Sequence, residues 1–237
     1  MATLPLAACS AGKQDHSASG ATIIVKTPVP TPSASGSGSV WVLAPVGLNL
    51  RAQPSATSAR VATAARGIQL DVLGSQSSGG QNWLRIRAHD AGTEGWVLDQ
   101  PDLVIHRAVS AHFDSGGGWS ILFPADWTLN AGTPTTFVGS GQTLLVQAAP
   151  QASALPTSPG AAGKDLRDEG PVDVYGATTF LTVYQLNAGG FEYDDVAKFG
   201  DPANPSSQRA ILFRFHDSAS APDTALFKQL LASVAVV

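Results

Sequence analysis

The sequence predicts a mainly β, α+β protein: a small antiparallel β-barrel, then an antiparallel-sheet domain closed by a C-terminal helix. Three observations predict it. Short runs of alternating apolar and polar residues recur from Val40 onward, separated by turn residues. Gly and Pro number 24 and 16 in 237 residues, enough for many tight turns and a linker. Only residues 224–234 carry a helical apolar stripe, through Ala225, Leu226, Leu230, Leu231 and Val234.

Composition narrows the function. A formal net charge of −4, with five Lys and nine Arg and no basic tract, argues against a nucleic-acid partner. A lone Cys at position 9 excludes an intrachain disulfide, a Cys-based zinc site and an iron–sulfur cluster. No run of 18 apolar residues exists, so no helix of this chain would span a bilayer.

Residues 1–9 read as a partial signal. Leu6-Ala7-Ala8-Cys9 resembles the bacterial lipobox, in which a peptidase cuts before a lipidated Cys. Eight residues precede Cys9, without Lys or Arg and with half of an apolar segment. An upstream start, a trimmed chain and a chance match all fit that. Residues 10–39 are rich in Ser, Ala, Gly, Thr and Pro and are expected to form a disordered tether, unable to bury enough apolar area to offset chain entropy. The resemblance implies lipidation at Cys9 and a membrane contact through that anchor, outside the cytoplasm in the cell envelope.

Residues 40–105 hold the barrel. Strands are predicted at 40–43, 48–51, 69–74, 82–87 and 95–98, with Trp83, Arg85 and Arg87 on one face of the fourth and Leu84 and Ile86 on the other. Its charges cancel, five Arg against four Asp and one Glu. Gly47-Leu48-Asn49-Leu50-Arg51-Ala52-Gln53-Pro54-Ser55 resembles the opening signature of bacterial SH3-like domains. Val61-Ala62-Thr63 and the Gly67 turn follow where that family has a short strand and a loop. Asn82-Trp83-Leu84-Arg85-Ile86 and Gly95-Trp96-Val97 resemble its closing signatures. The resemblance implies a binding module of envelope proteins, with cell-wall peptide or an envelope protein as partner. Asn49, Trp83 and Trp96 are the candidate ligand-binding residues. Each also has a structural reading: Asn49 and Arg51 would pin the first loop through backbone carbonyls, and the two Trp would fill core or rim.

Residues 106–237 hold the α+β domain, with twelve acidic and seven basic residues. Strands are predicted at 119–124, 135–138, 142–148, 178–185 and 209–216, and the final helix at 224–234. Gly118-Trp119-Ser120-Ile121-Leu122-Phe123-Pro124-Ala125-Asp126-Trp127 resembles the opening motif of PsbP-like domains, which implies a non-catalytic domain acting through partner contacts. Trp127 is expected to pack under the turn. The acidic runs Asp165, Asp168, Glu169, Asp173 and Glu192, Asp194, Asp195, Asp201 lack a calcium-loop pattern and read as solvated loop charge.

No catalytic motif stands out. There is no Gly-x-Ser-x-Gly elbow, and Val138-Gly139-Ser140-Gly141 reads as a turn. The five His are scattered, and no metal or cofactor is implied. The expected function is non-enzymatic binding or scaffolding. The alternative is a Ser/His/Asp-type hydrolase with its site in the C-terminal domain, through His112 or His216.

Overall fold

Strands β1 (Thr22–Ile24), β2 (Ser39–Val42), β3 (Leu48–Arg51), β4 (Arg60–Ala64), β5 (Gln69–Ser78), β6 (Gln81–Ala88), β7 (Glu94–Leu98) and β8 (Val104–Ile105) form one sheet. Their order is β1-β4-β3-β7-β6-β5-β2-β8. The computed structural model describes residues 22–24, 38–150, 154–155, 166–200, 209–221 and 223–236. Cys9 and most of the tether lie outside the described residues. Alternation turns one face of every strand from β2 to β8 inward. Val40, Val42, Leu50, Ala62, Leu70, Leu84, Ile86, Val97 and Val104 meet in a single core, so the sheet is rolled around it. Gly79 and Gly80, both at positive φ, make the two-residue turn between β5 and β6.

Two features differ from the reading of the sequence. Thr22–Ile24 pairs in parallel with β4 inside the segment expected as tether, where β-branched residues interrupt the Ser/Gly/Pro composition. β5 runs on through Ser78, because polar residues 75–78 pair with β6, Ser77 also donating its hydroxyl to Asn82 Oδ1 at 2.9 Å, and leave no apolar alternation to read.

The rest of the chain supplies β9 (Val109–Asp114), β10 (Trp119–Pro124), β11 (Thr128–Asn130), β12 (Thr135–Val138), β13 (Gln142–Ala149), β14 (Leu166–Val174), β15 (Ala177–Gln185), β16 (Phe191–Phe199), β17 (Arg209–Asp217), α1 (Ala225–Ala232) and β18 (Ala235–Val236). They build a sheet of order β11-β12-β13-β17-β16-β15-β14 and a smaller one of order β18-β10-β9. Between them lies a core of Trp119, Ile121, Phe137, Leu144, Leu181, Tyr193, Phe213, Phe215, Phe227 and Leu231. Trp127 is buried there as expected, its ring stacked on Phe215 at 6.3 Å. Gly139 lies against that indole, and a Cβ at this position would collide with it. Helix α1 begins after Thr224, which makes no side-chain cap bond, and the preceding Asp223 carboxylate accepts from Ala225 N–H at 2.9 Å. Its far end is tied to β10 by Ser233, whose buried hydroxyl accepts from Leu122 N–H at 3.0 Å.

β2 and β8 serve both assemblies. Val40, Val42 and Val104 point into the rolled sheet, while Trp41, Leu43 and Ile105 pack with Val109 and Leu122 in a second cluster. Beside it Arg66 donates through Nη1 to Ser120 Oγ at 2.9 Å. Its Nε and Nη2 are buried without a partner, and burial pushes the guanidinium pKa down to about 10.

The acidic runs lie largely on strands rather than in loops, and Asp173 at the end of the first is exposed. The first falls largely on β14 and the second largely on β16. Asp194 is buried in a two-pronged pair with Arg214, at 2.9 and 3.1 Å. Asp195 points to the other face, fully buried in register with Phe213. Its Oδ2 accepts from the Thr179 hydroxyl at 2.6 Å and its Oδ1 has no partner. The tight turn after β14 places Tyr175 at φ +49° before Gly176 at φ +79°. That left-handed backbone costs a β-carbon-bearing residue roughly 1–2 kcal/mol.

Burial raises the Asp195 carboxyl from its ordinary 3.8 to about 6, so the native state holds this proton more tightly than the unfolded chain does. The stability it contributes is complete below pH 4 and is lost as pH rises through 6. Unfolding in urea at a series of pH values checks this. From pH 4.5 to 7.5, wild type should lose roughly 2 kcal/mol relative to Asp195→Asn. A difference independent of pH would show that this carboxyl does not titrate there.

Candidate functional site

The rolled sheet turns a second face outward. With Leu48, Leu50, Leu84, Ile86 and Val97 committed to the core, alternation leaves Asn49 and Arg51 of β3 outside. Trp83, Arg85 and Arg87 of β6 share that side, as does Trp96 of β7. Strand register then aligns them. Trp96 lies opposite Arg51 on one side and opposite Arg85 on the other, so the three form a row across β3, β7 and β6. Trp83 lies opposite Leu98, one pleat further along.

The three candidate residues therefore share one face but differ in what they present. Trp83 is only 3% exposed and has little ring surface to offer a ligand. Trp96 is half-buried, with part of its indole at the surface. Asn49 is exposed, and its Oδ1 accepts from the Thr63 hydroxyl at 3.2 Å. Asn49 is thus joined to a neighbouring side chain rather than to a loop carbonyl. Arg51 does bond a loop carbonyl, donating through Nη1 to Ser58 O at 2.8 Å. The same loop is closed by Ala52 N–H to Ala59 O at 2.9 Å and by Gln53 N–H to Ser58 Oγ at 2.9 Å.

The face is locally cationic. Arg87 and Arg85 both bond Glu94, at 2.8 and 3.0 Å, and their hydrogen bonds hold its carboxyl below the usual range. Arg51, Arg85 and Arg87 thus share the face with Glu94 and with Asp71, which lies opposite Arg87, although charge over residues 40–105 is balanced. The pairs with Glu94 are exposed, so they are weak and can be exchanged for a ligand's carboxylate. An indole edge flanked by guanidinium groups suits a peptide that offers a carboxylate and an apolar side chain.

The histidines of the second assembly do not converge. His112, on β9, sets its ring against Trp119 and Phe137, at 5.4 and 5.7 Å. Its Nε2 is buried without a partner, and burial lowers its pKa, which favours the neutral ring. His216 lies on β17 opposite Thr143 and Glu192, on the face away from Phe213 and Phe215. Neither His bonds a carboxylate or a serine among the described residues. His106 instead meets Asp99 at 2.8 Å, and His89 meets Asp71 at 3.1 Å, both at the surface. No three His, Cys, Asp or Glu side chains gather at a metal-ligating distance among the described residues.

The row Arg51, Trp96, Arg85 escapes the sequence because it is made by register. Alternation within β6 marks which of its residues share a side but not what faces them across the sheet. Removing the charged anchor of the first loop tests its part in the site. Arg51→Ala should lower stability by about 1–2 kcal/mol and speed amide hydrogen exchange in residues 52–59. Unchanged exchange there would show that the loop holds itself.

In the comparison with curated proteins, no match to this chain was found. Residues 46–100, which carry β3 to β7 and the whole of this face, match the family described as Bacterial SH3 domain.

Proposed function

We propose that this protein is a lipid-anchored binding or scaffolding protein of the cell envelope. Its SH3 module would recognise cell-wall peptide or an envelope protein through the outer face of β3, β7 and β6. The observation that carries the reading is the placement of the half-buried Trp96 between Arg51 and Arg85. The ligand it suits is a peptide with a free carboxylate beside an aliphatic or planar group. Support for the anchor comes from Leu6-Ala7-Ala8-Cys9, followed by a segment rich in Ser, Gly and Pro. The second assembly would act by contact rather than catalysis, in keeping with the PsbP-like motif at residues 118–127.

Two experiments test it. The full chain is titrated with purified cell-wall fragments and with envelope extract, following Trp fluorescence and co-sedimentation. Trp96→Ala and Arg85→Ala should each weaken capture at least about tenfold while leaving the melting temperature within a few degrees of wild type. Capture that is insensitive to both substitutions would move the ligand elsewhere. Labelled fatty acid should enter the wild-type chain in bacterial cells and not Cys9→Ala. Equal labelling of the two, or none in either, would remove the anchor from the proposal.

A further inference from the structure

The rolled sheet and the second assembly meet along a cleft of about 530 Å³, within the size range of small-ligand and side-chain pockets. One side is made by the turn after β2, with Pro45 and Val46, and by the turn before β8, with Asp102 and Leu103. The other is made by the tip of the β14–β15 hairpin, with Asp173 and Tyr175, and by the end of α1. It shares no residue with the face that carries Trp96.

Three observations point to a ligand. Val46 is 88% exposed and Tyr175 44% exposed, so the cleft presents apolar surface that the fold does not cover. Tyr175 holds a left-handed backbone, at φ +49°, where Asn, Asp or Gly would be relaxed. A tyrosine kept there at an energetic cost is placed for its side chain, not for the turn. Finally, the polar part of the lining is acidic. Asp102 meets no basic side chain among the described residues. Asp173 uses one oxygen to accept from Gly176 N–H at 3.0 Å and likewise meets no basic side chain.

We propose that this cleft is a second recognition site, taking a peptide segment that carries a Lys or Arg next to an aliphatic residue. The aliphatic side chain would pack between Val46, Leu103 and Tyr175, and the cation would sit between the two carboxylates. Charge selects this occupant: an acidic segment would bring like charge against both aspartates. The inference stands apart from the proposed role of the outer face, since it draws on different residues and the opposite charge.

The full chain, labelled with ¹⁵N, is titrated with the acetylated, amidated peptides Ala-Leu-Lys-Ala, Ala-Leu-Arg-Ala and Ala-Leu-Glu-Ala. The two basic peptides should give saturable amide shifts at Val46, Leu103, Tyr175 and Gly176, at roughly 0.1–1 mM. The acidic peptide should bind at least about tenfold more weakly. Asp102→Asn and Asp173→Asn should each weaken the basic peptides about three- to tenfold, and the Asn at 173 keeps an acceptor for Gly176 N–H. Tyr175→Asn relaxes the turn, so it should hold or raise the melting temperature while weakening binding at least threefold. The inference is overturned if no basic peptide gives saturable shifts or if the acidic peptide binds equally. Shifts confined to the face around Trp96, or a Tyr175→Asn variant that binds as wild type, would overturn it as well.

Discussion

The architecture depends on burying both faces of one four-residue strand. β2 lies between β5 and β8, so its backbone is paired on each side. Its side chains alternate between Val40 and Val42 in the rolled core and Trp41 in the junction, which Leu43 extends just beyond the strand. Burying Trp41 and Leu43 contributes on the order of 2–3 kcal/mol each, a sizeable share of the net stability of a domain. Because successive side chains must point in opposite directions, the strand's attachment to one core fixes its approach to the other. β8 repeats the device with Val104 and Ile105, so the pair of strands contributes side chains to both cores.

That constraint positions everything nearby. The turn after β2 and the turn before β8 emerge side by side, joined by the bond from Leu43 N–H to Leu103 O at 2.8 Å. They are held beside the end of α1, which Ser233 in turn fastens to β10. The cleft is therefore bounded by anchored backbone on these sides. Arg66 marks the same junction from another direction. Its single bond to Ser120 leaves two nitrogens buried and unpaired, a penalty the surrounding apolar packing must offset.

How much of this the sequence displayed follows from where polar residues fall. β3 and β6 are visible because period-two burial leaves a mark in composition, and β10 and β17 because they are apolar runs buried on both sides. β16 hides because Asp195 occupies an inward position between Tyr193 and Ala197, so an apolar row reads as an acidic loop. β14 hides for a different reason. Gly170 and Pro171 break the pattern, yet a register shift beside Gly170 and the strand's place at a sheet edge accommodate them. β8 is two residues long and has no period to detect. For the candidate residues Asn49, Trp83 and Trp96, placement on one face follows from alternation. Their unequal exposure does not, because the surroundings of Trp83 are set by tertiary packing.

Charge shows the same limit more sharply. Five basic and five acidic residues between 40 and 105 cancel in the sequence, which reads as electrostatic indifference. Folding separates them. Pleating gathers Arg51, Arg85 and Arg87 on the outer face beside Glu94 and Asp71, three guanidinium groups to two carboxylates. The turn before β8 delivers Asp102 to the cleft, where Asp173 arrives from a segment more than sixty residues later. Net charge is a sum over the chain, whereas a ligand meets a field within about 10 Å at ordinary ionic strength. Two local fields of opposite sign can therefore coexist on a nearly neutral module. On the two proposals made above, a carboxylate-bearing segment on the sheet and a cationic one in the cleft would each meet its own field.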